Sequence, residues 1–129
     1  MNDDVQAHMG KARQRLKEAC TLLQEKLPSG AVNRSYYAMY EAACAMLALQ
    51  RVQVGSHEGA KIKFGELFVK TGQVEPRFGR DLSEALKVRK DADYSIDAKS
   101  EVSLEIAMDE FTKAEEFVAM AENFLKTHG

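Results

Sequence analysis

The sequence predicts an all-α fold: an antiparallel up-and-down bundle of four main helices and one short one. Three observations carry that expectation. Apolar residues recur in steps of three and four over most of the 129 residues, and no stretch alternates strictly between apolar and polar as a half-buried strand does. Only 2 prolines and 8 glycines punctuate the chain, and they fall mostly between the periodic segments.

The first helix follows from Val5, Met9, Ala12, Leu16, Ala19, Leu23 and Leu27, which form one apolar stripe. Pro28-Ser29-Gly30 is expected to end it, because proline cannot continue the hydrogen-bond ladder and glycine turns freely. A second helix is expected from about Ala31 to Arg51. Between Tyr36 and Leu49 its only charged residue is Glu41, so it is apolar nearly all round and should be central. A chain of this length is expected to cover such a helix only in part, which points to a second copy.

Ser56 is a candidate N-cap for a short third helix carrying Ile62, Phe64, Leu67, Phe68 and Val69, with Gly72 closing it. After Pro76 the fourth helix reads Phe78, Leu82, Ala85, Arg89, Ala92, so an arginine occupies a core-stripe position. Asp93 to Ser103 reads as a turn. Ser103 then caps a last helix with Leu104, Ala107, Phe111, Ala114, Val118, Ala121 and Leu125 on one side, and Glu105 complements its dipole.

Composition bounds the function. With 45% hydrophobic and 29% charged residues this is an ordinary globular chain, read as one domain over 1–129. No apolar run approaches the roughly 20 residues that span a bilayer, and the start is acidic, so a cytoplasmic protein without a membrane partner is expected. Cys20 and Cys44 lie in helix-like patterns and read as thiols, without metal-ligand spacing. No Glu-x-x-His pair and no phosphate loop is present, so neither a metal nor a cofactor is expected.

The net charge of −2, from 18 basic and 20 acidic residues, excludes a globally basic nucleic-acid coat but hides an uneven spread. Lys11, Arg13, Arg15 and Lys17 crowd the first helix, while residues 97–129 hold 8 acids and 3 bases. The pattern reads first as two complementary solvated faces, packed against each other or across a dimer, with a nucleic-acid-binding stripe as the alternative.

Polar groups within apolar helices are the remaining candidates for chemistry. A buried guanidinium needs partners or a cleft, so Arg89 is clamped by Asp93 one turn later, crosses a subunit interface, or faces a phosphate or RNA. Asn33-Arg34-Ser35-Tyr36-Tyr37 is either a polar helix start followed by core, or the mouth of a groove. His57, in the loop before the third helix, is a cap or a proton-transfer group.

These islands resemble a known family. Asn33-Arg34-Ser35-Tyr36-Tyr37-Ala38, His57-Glu58-Gly59, Leu86-Lys87-Val88-Arg89-Lys90-Asp91-Ala92-Asp93-Tyr94 and Ala114-Glu115-Glu116-Phe117-Val118 are similar, in this order, to segments of the prokaryotic HEPN-domain family. The likeness runs over roughly residues 10–126. It implies a helical bundle, usually a homodimer, tied to RNA or nucleotides, with many metal-independent ribonuclease toxins encoded beside a nucleotidyltransferase-fold partner.

The ribonuclease signature is an arginine followed after four to six residues by a histidine. Arg89 matches the arginine; Tyr94, Ser95 and Ile96 stand where the histidine belongs. A phenol with an ordinary pKa near ~10 is a poor base at neutral pH.

The resemblance therefore implies first a dimeric module that binds RNA or a nucleotide phosphate. Its groove is lined by Asn33, Arg34, Tyr37, Arg89 and Tyr94, with Lys90 and Asp93 as further binding residues. The alternative is an active ribonuclease toxin in which Arg89 stabilises charge and Tyr94 or His57 moves the proton. A purely structural dimer is a second alternative.

Overall fold

The computed structural model describes residues 3–94 and 102–129. The described residues form α1 (Asp3–Gln24), α2 (Pro28–Leu49), α3 (His57–Phe64), α4 (Pro76–Tyr94) and α5 (Leu104–His128), with a π-turn at Gly65–Val69 continuing α3. No strand occurs among them, so the all-α expectation holds.

The junction between the first two helices differs from expectation. Pro28 opens α2 instead of merely ending α1, because its missing N–H is one that a first helical turn leaves unpaired anyway. Helix α1 closes two residues earlier through Lys26, at φ 59°, where the Leu27 and Lys26 amides bond back to the Leu22 and Leu23 carbonyls at 2.8 and 3.0 Å. Leu27 is consequently outside the core stripe and 52% exposed.

The same closure ends α2 at Arg51, φ 60°, and ends the π-turn at Gly72, φ 78°, as the sequence suggests for that glycine. Ser56 and Ser103 cap as expected, their hydroxyls accepting from the amides of Gly59 and Ile106 at 2.9 and 3.1 Å. Helix α4 runs through Tyr94, so Asp93 is helical instead of turn-like; the rest of the expected turn, 95–101, lies outside the described residues.

Helix α2 is central, and α1, α4, α5 and α3 all pack on it. Its alanines at 38, 42, 43 and 45 are fully buried, which lets neighbouring backbones approach closely. Tyr36, Met39, Met46 and Leu47 fill the space between them, against Phe64, Phe68, Phe117 and Phe124. A smaller cluster of Ala31, Val32, Val102 and Ala107 closes the other end of the bundle.

Residues of the same chain thus cover α2, and its apolarity does not by itself call for a second copy. The expected charge pairing of the first and last helices is present in Arg13 Nε, 2.9 Å from a Glu122 carboxylate oxygen. Cys20 and Cys44 are free thiols. No helix of the described residues is long and apolar enough to cross a membrane.

Candidate functional site

Helices α2, α3 and α4 meet at a cluster of tyrosines. Tyr36, Tyr37 and Tyr40 lie within one helical turn of α2, so they share a side of the bundle. His57, the first residue of α3 and not a loop residue, is set among all three rings, with centroid distances of 5.5, 5.6 and 4.4 Å. A hydrogen bond of 2.7 Å joins the Tyr36 hydroxyl to His57 Nδ1.

From α4, the Arg89 guanidinium lies over the rings of Tyr36 and Tyr37, 5.3 and 5.5 Å from their centroids. This cation–π geometry replaces part of the hydration that the side chain, only 13% exposed, has lost. Arg89 Nη1 donates to Asp93 at 3.2 Å, the one-turn clamp that the spacing suggests. Asp93 also accepts from Asn33 Nδ2 at 3.4 Å. Arg89 Nε is buried with no hydrogen-bond partner among the described residues.

The sequence islands therefore converge. Arg89 and His57, 32 positions apart in the chain, pack on the same two tyrosines. Asn33 joins them through Asp93, and Arg34 donates to the Asn33 side-chain carbonyl while its Nε contacts Glu18 of α1 at 2.9 Å. Lys90 points elsewhere, to Glu58 at 3.4 Å, and lines a groove of about 930 Å³ between α3 and α4 with Lys61, Arg80 and Lys87. Neither Arg89 nor His57 lines that groove. Tyr94, 79% exposed, shares no hydrogen bond or ring contact with the cluster among the described residues.

Electrostatics follow the packing. Burial, and after it the positive charges of Arg89 and Lys90, hold His57 below the ordinary histidine pKa against a weaker pull from Glu41. The imidazole is therefore neutral at pH 7. Burial raises Tyr36 well above an ordinary phenol and pushes Tyr40 up to about 12, so both remain protonated. Sequence reasoning placed Tyr36 in the island at the groove mouth but not among the lining residues, and left Tyr40 out, although their four-residue spacing on one face was a signal. It also left out Glu18 and the His8–Glu41 pair, 2.7 Å apart, whose partners are distant in the chain.

An arginine held on tyrosines at the junction of three helices, with an amide and a histidine beside it, defines an all-α protein with a polar cluster cut into its core. The HEPN domain family model matches residues 5–128, and the chain belongs to that family.

Its relatives include the "Putative toxin MJ0605" of Methanocaldococcus jannaschii, 32% identical over 126 residues, covering 98% of this chain and 92% of the relative. A UPF0332 protein of Thermotoga maritima is 32% identical over 116 residues, covering 90% of this chain and 86% of the relative. Another from Gloeobacter violaceus is 32% identical over 125 residues, covering 97% and 98%.

Proposed function

We propose that this chain is a toxin-like HEPN module that works as a homodimer. Its polar cluster binds RNA or a nucleotide phosphate, in a toxin–antitoxin-type setting with a nucleotidyltransferase-fold partner. One observation carries this reading: Arg89 is held, largely buried, on two phenol rings with a single carboxylate for company and, among the described residues, one guanidinium N–H unpaired. A guanidinium with unused donors in a water-poor setting binds phosphate strongly, and tyrosine faces stack on bases. The name of the archaeal relative supports the toxin setting.

The test is binding of a labelled oligoribonucleotide by wild type and Arg89→Ala. The variant is expected to bind at least tenfold more weakly while keeping its helical circular dichroism. Equal affinity in a folded variant removes the reading.

A second reading, ribonuclease activity, is favoured by the neutral His57 imidazole on the tyrosines that hold Arg89. A neutral imidazole offers the lone pair that a general base needs to activate a 2′-hydroxyl, and the guanidinium would stabilise the charge that develops on phosphate. Cleavage that persists in chelator and disappears in His57→Ala distinguishes it from binding alone.

A further inference from the structure

Helices α1 and α2 leave a cleft of about 400 Å³ lined by Lys11, Arg15, Arg34, Tyr37 and Glu41. Arg34 is also a wall of an adjoining hollow of about 530 Å³ that includes Lys17 and Glu18. The two hollows form one strip along α1, with four cations against two carboxylates, Glu18 and Glu41. Glu41 is held by His8 at 2.7 Å. Lys11 and Lys17 have no ion pair among the described residues.

Glu18 has an unusual position in this strip. Its carboxylate oxygens each accept from Arg15 Nη1 at 2.6 Å, and one of them lies 2.9 Å from Arg34 Nε. Two guanidiniums from different helices therefore converge on one anion. These hydrogen bonds and charges hold the Glu18 carboxyl below the ordinary range, so it stays ionised at neutral pH. The pairs are accessible to water and add little stability, which makes the carboxylate easy to exchange for another anion.

The strip is continuous with the cluster around Arg89. Tyr37 lines the cleft, and its ring centroid is 5.5 Å from the Arg89 guanidinium carbon. Arg34 reaches Asn33, and Asn33 reaches Asp93, the partner of Arg89. Cations thus stand at two places linked by one aromatic ring, as a single strand with a stacked base and phosphates on either side requires.

We propose that the α1–α2 cleft is a second phosphate subsite for a single-stranded oligonucleotide. Arg15 and Arg34 take up a phosphate in place of the Glu18 carboxylate, and Arg89 holds the neighbouring phosphate across Tyr37. Glu18 is then an internal stand-in that keeps the subsite closed to weak anions. This rests on the reading of Arg89 as a phosphate ligand.

The experiment measures fluorescence anisotropy of a labelled octauridylate between 50 and 200 mM salt, on the order of the range where phosphate contacts reveal themselves, with uridine monophosphate as a competing single-phosphate probe. The proteins are wild type, Glu18→Gln, the double variant Lys11→Ala/Arg15→Ala, and Arg89→Ala, each checked for helical content.

The double variant is expected to lose octauridylate affinity about tenfold, and several-fold more than it loses uridine monophosphate. Its log–log salt slope should flatten by about 0.7 for each phosphate contact removed. Glu18→Gln is expected to tighten octauridylate binding several-fold, because the guanidiniums no longer have an ionised competitor.

If the double variant binds octauridylate like wild type with the same slope while Arg89→Ala is weakened, the second subsite is overturned and the reading of Arg89 stands. If Glu18→Gln binds no more tightly, the stand-in role is overturned. If folded wild type binds neither probe, the Arg89 reading falls and takes the subsite with it.

Discussion

Glu110 shows how much one buried group can shape the pH response. It sits on the core face of α5, only 2% exposed, and its Oε2 has no hydrogen-bond partner among the described residues. Burial first, then the nearby carboxylates Glu84, Asp109 and Asp81, raise its pKa to about 7 against the attraction of Lys113. The folded protein therefore binds this proton more tightly than the unfolded chain. The stabilisation is fully present below the unfolded value of 4.5 and is lost as pH rises through about 7.

His57 acts in the opposite direction, since its lowered pKa removes stability as pH falls below the ordinary histidine value. Glu110→Gln is expected to abolish the loss between pH 5 and 8 and to stabilise the protein by about 2 kcal/mol at the alkaline end. Urea melts of both proteins at the two pH values check this, and an unchanged pH slope contradicts it.

Arg89 was legible in the sequence because it interrupts a three-and-four stripe, and the clamp by Asp93 followed from helical spacing. Glu110 carried the same signal, three residues after Ala107 and four before Ala114. Phe111, an apolar residue at nearly the same angle, masks that signal. The hydrogen bond of Tyr36 to His57 had no such signal: it spans 21 positions and depends on how α3 docks.

At the scale of elements, the closures after α1 and α2 place ordinary residues in the left-handed region. Lys26 and Arg51 have φ of 59° and 60°, where an L side chain crowds its own carbonyl at a cost of roughly 1–2 kcal/mol. Gly72 fills the equivalent place after the π-turn without that cost. Lys26→Gly and Arg51→Gly are each expected to stabilise the fold by about 0.5–1 kcal/mol, the greater flexibility of the unfolded chain offsetting part of the relief. Thermal melts at one pH read this as a rise of about 4 °C per kcal/mol.

These closures also explain the misplaced first boundary. Proline stops one helix and starts the next by the same property, a fixed φ with no N–H, and only the geometry of Lys26 shows which use applies at Pro28. The π-turn was not legible at all. Its extra residue per turn is fixed by the docking of Phe64 and Phe68 in the core and by Gly79 of α4, where a Cβ would approach Val69 Cγ2 to 3.2 Å.

For the whole molecule, helix periodicity made the all-α class and the central place of α2 legible, because both depend on residue order alone. The covering of α2 depended on how small its neighbours are. Alanines let α1 and α5 approach closely enough to bury it without help. Dilution is therefore expected to separate any dimer before it unfolds either chain. Light scattering at micromolar protein should show a species of twice the chain mass, and the far-UV signal should persist at concentrations where that species has dissociated. A helical signal lost together with the dimer would show that folding needs the partner.

With the core around α2 closed within one chain, the protomers of the proposed dimer would be finished before they meet and could trade partners without passing through an unfolded state. A cell holding two related versions of such a chain could then produce mixed pairs simply by changing how much of each it makes. Synthesis rate would set which pairs exist, with no change to the fold of either protomer.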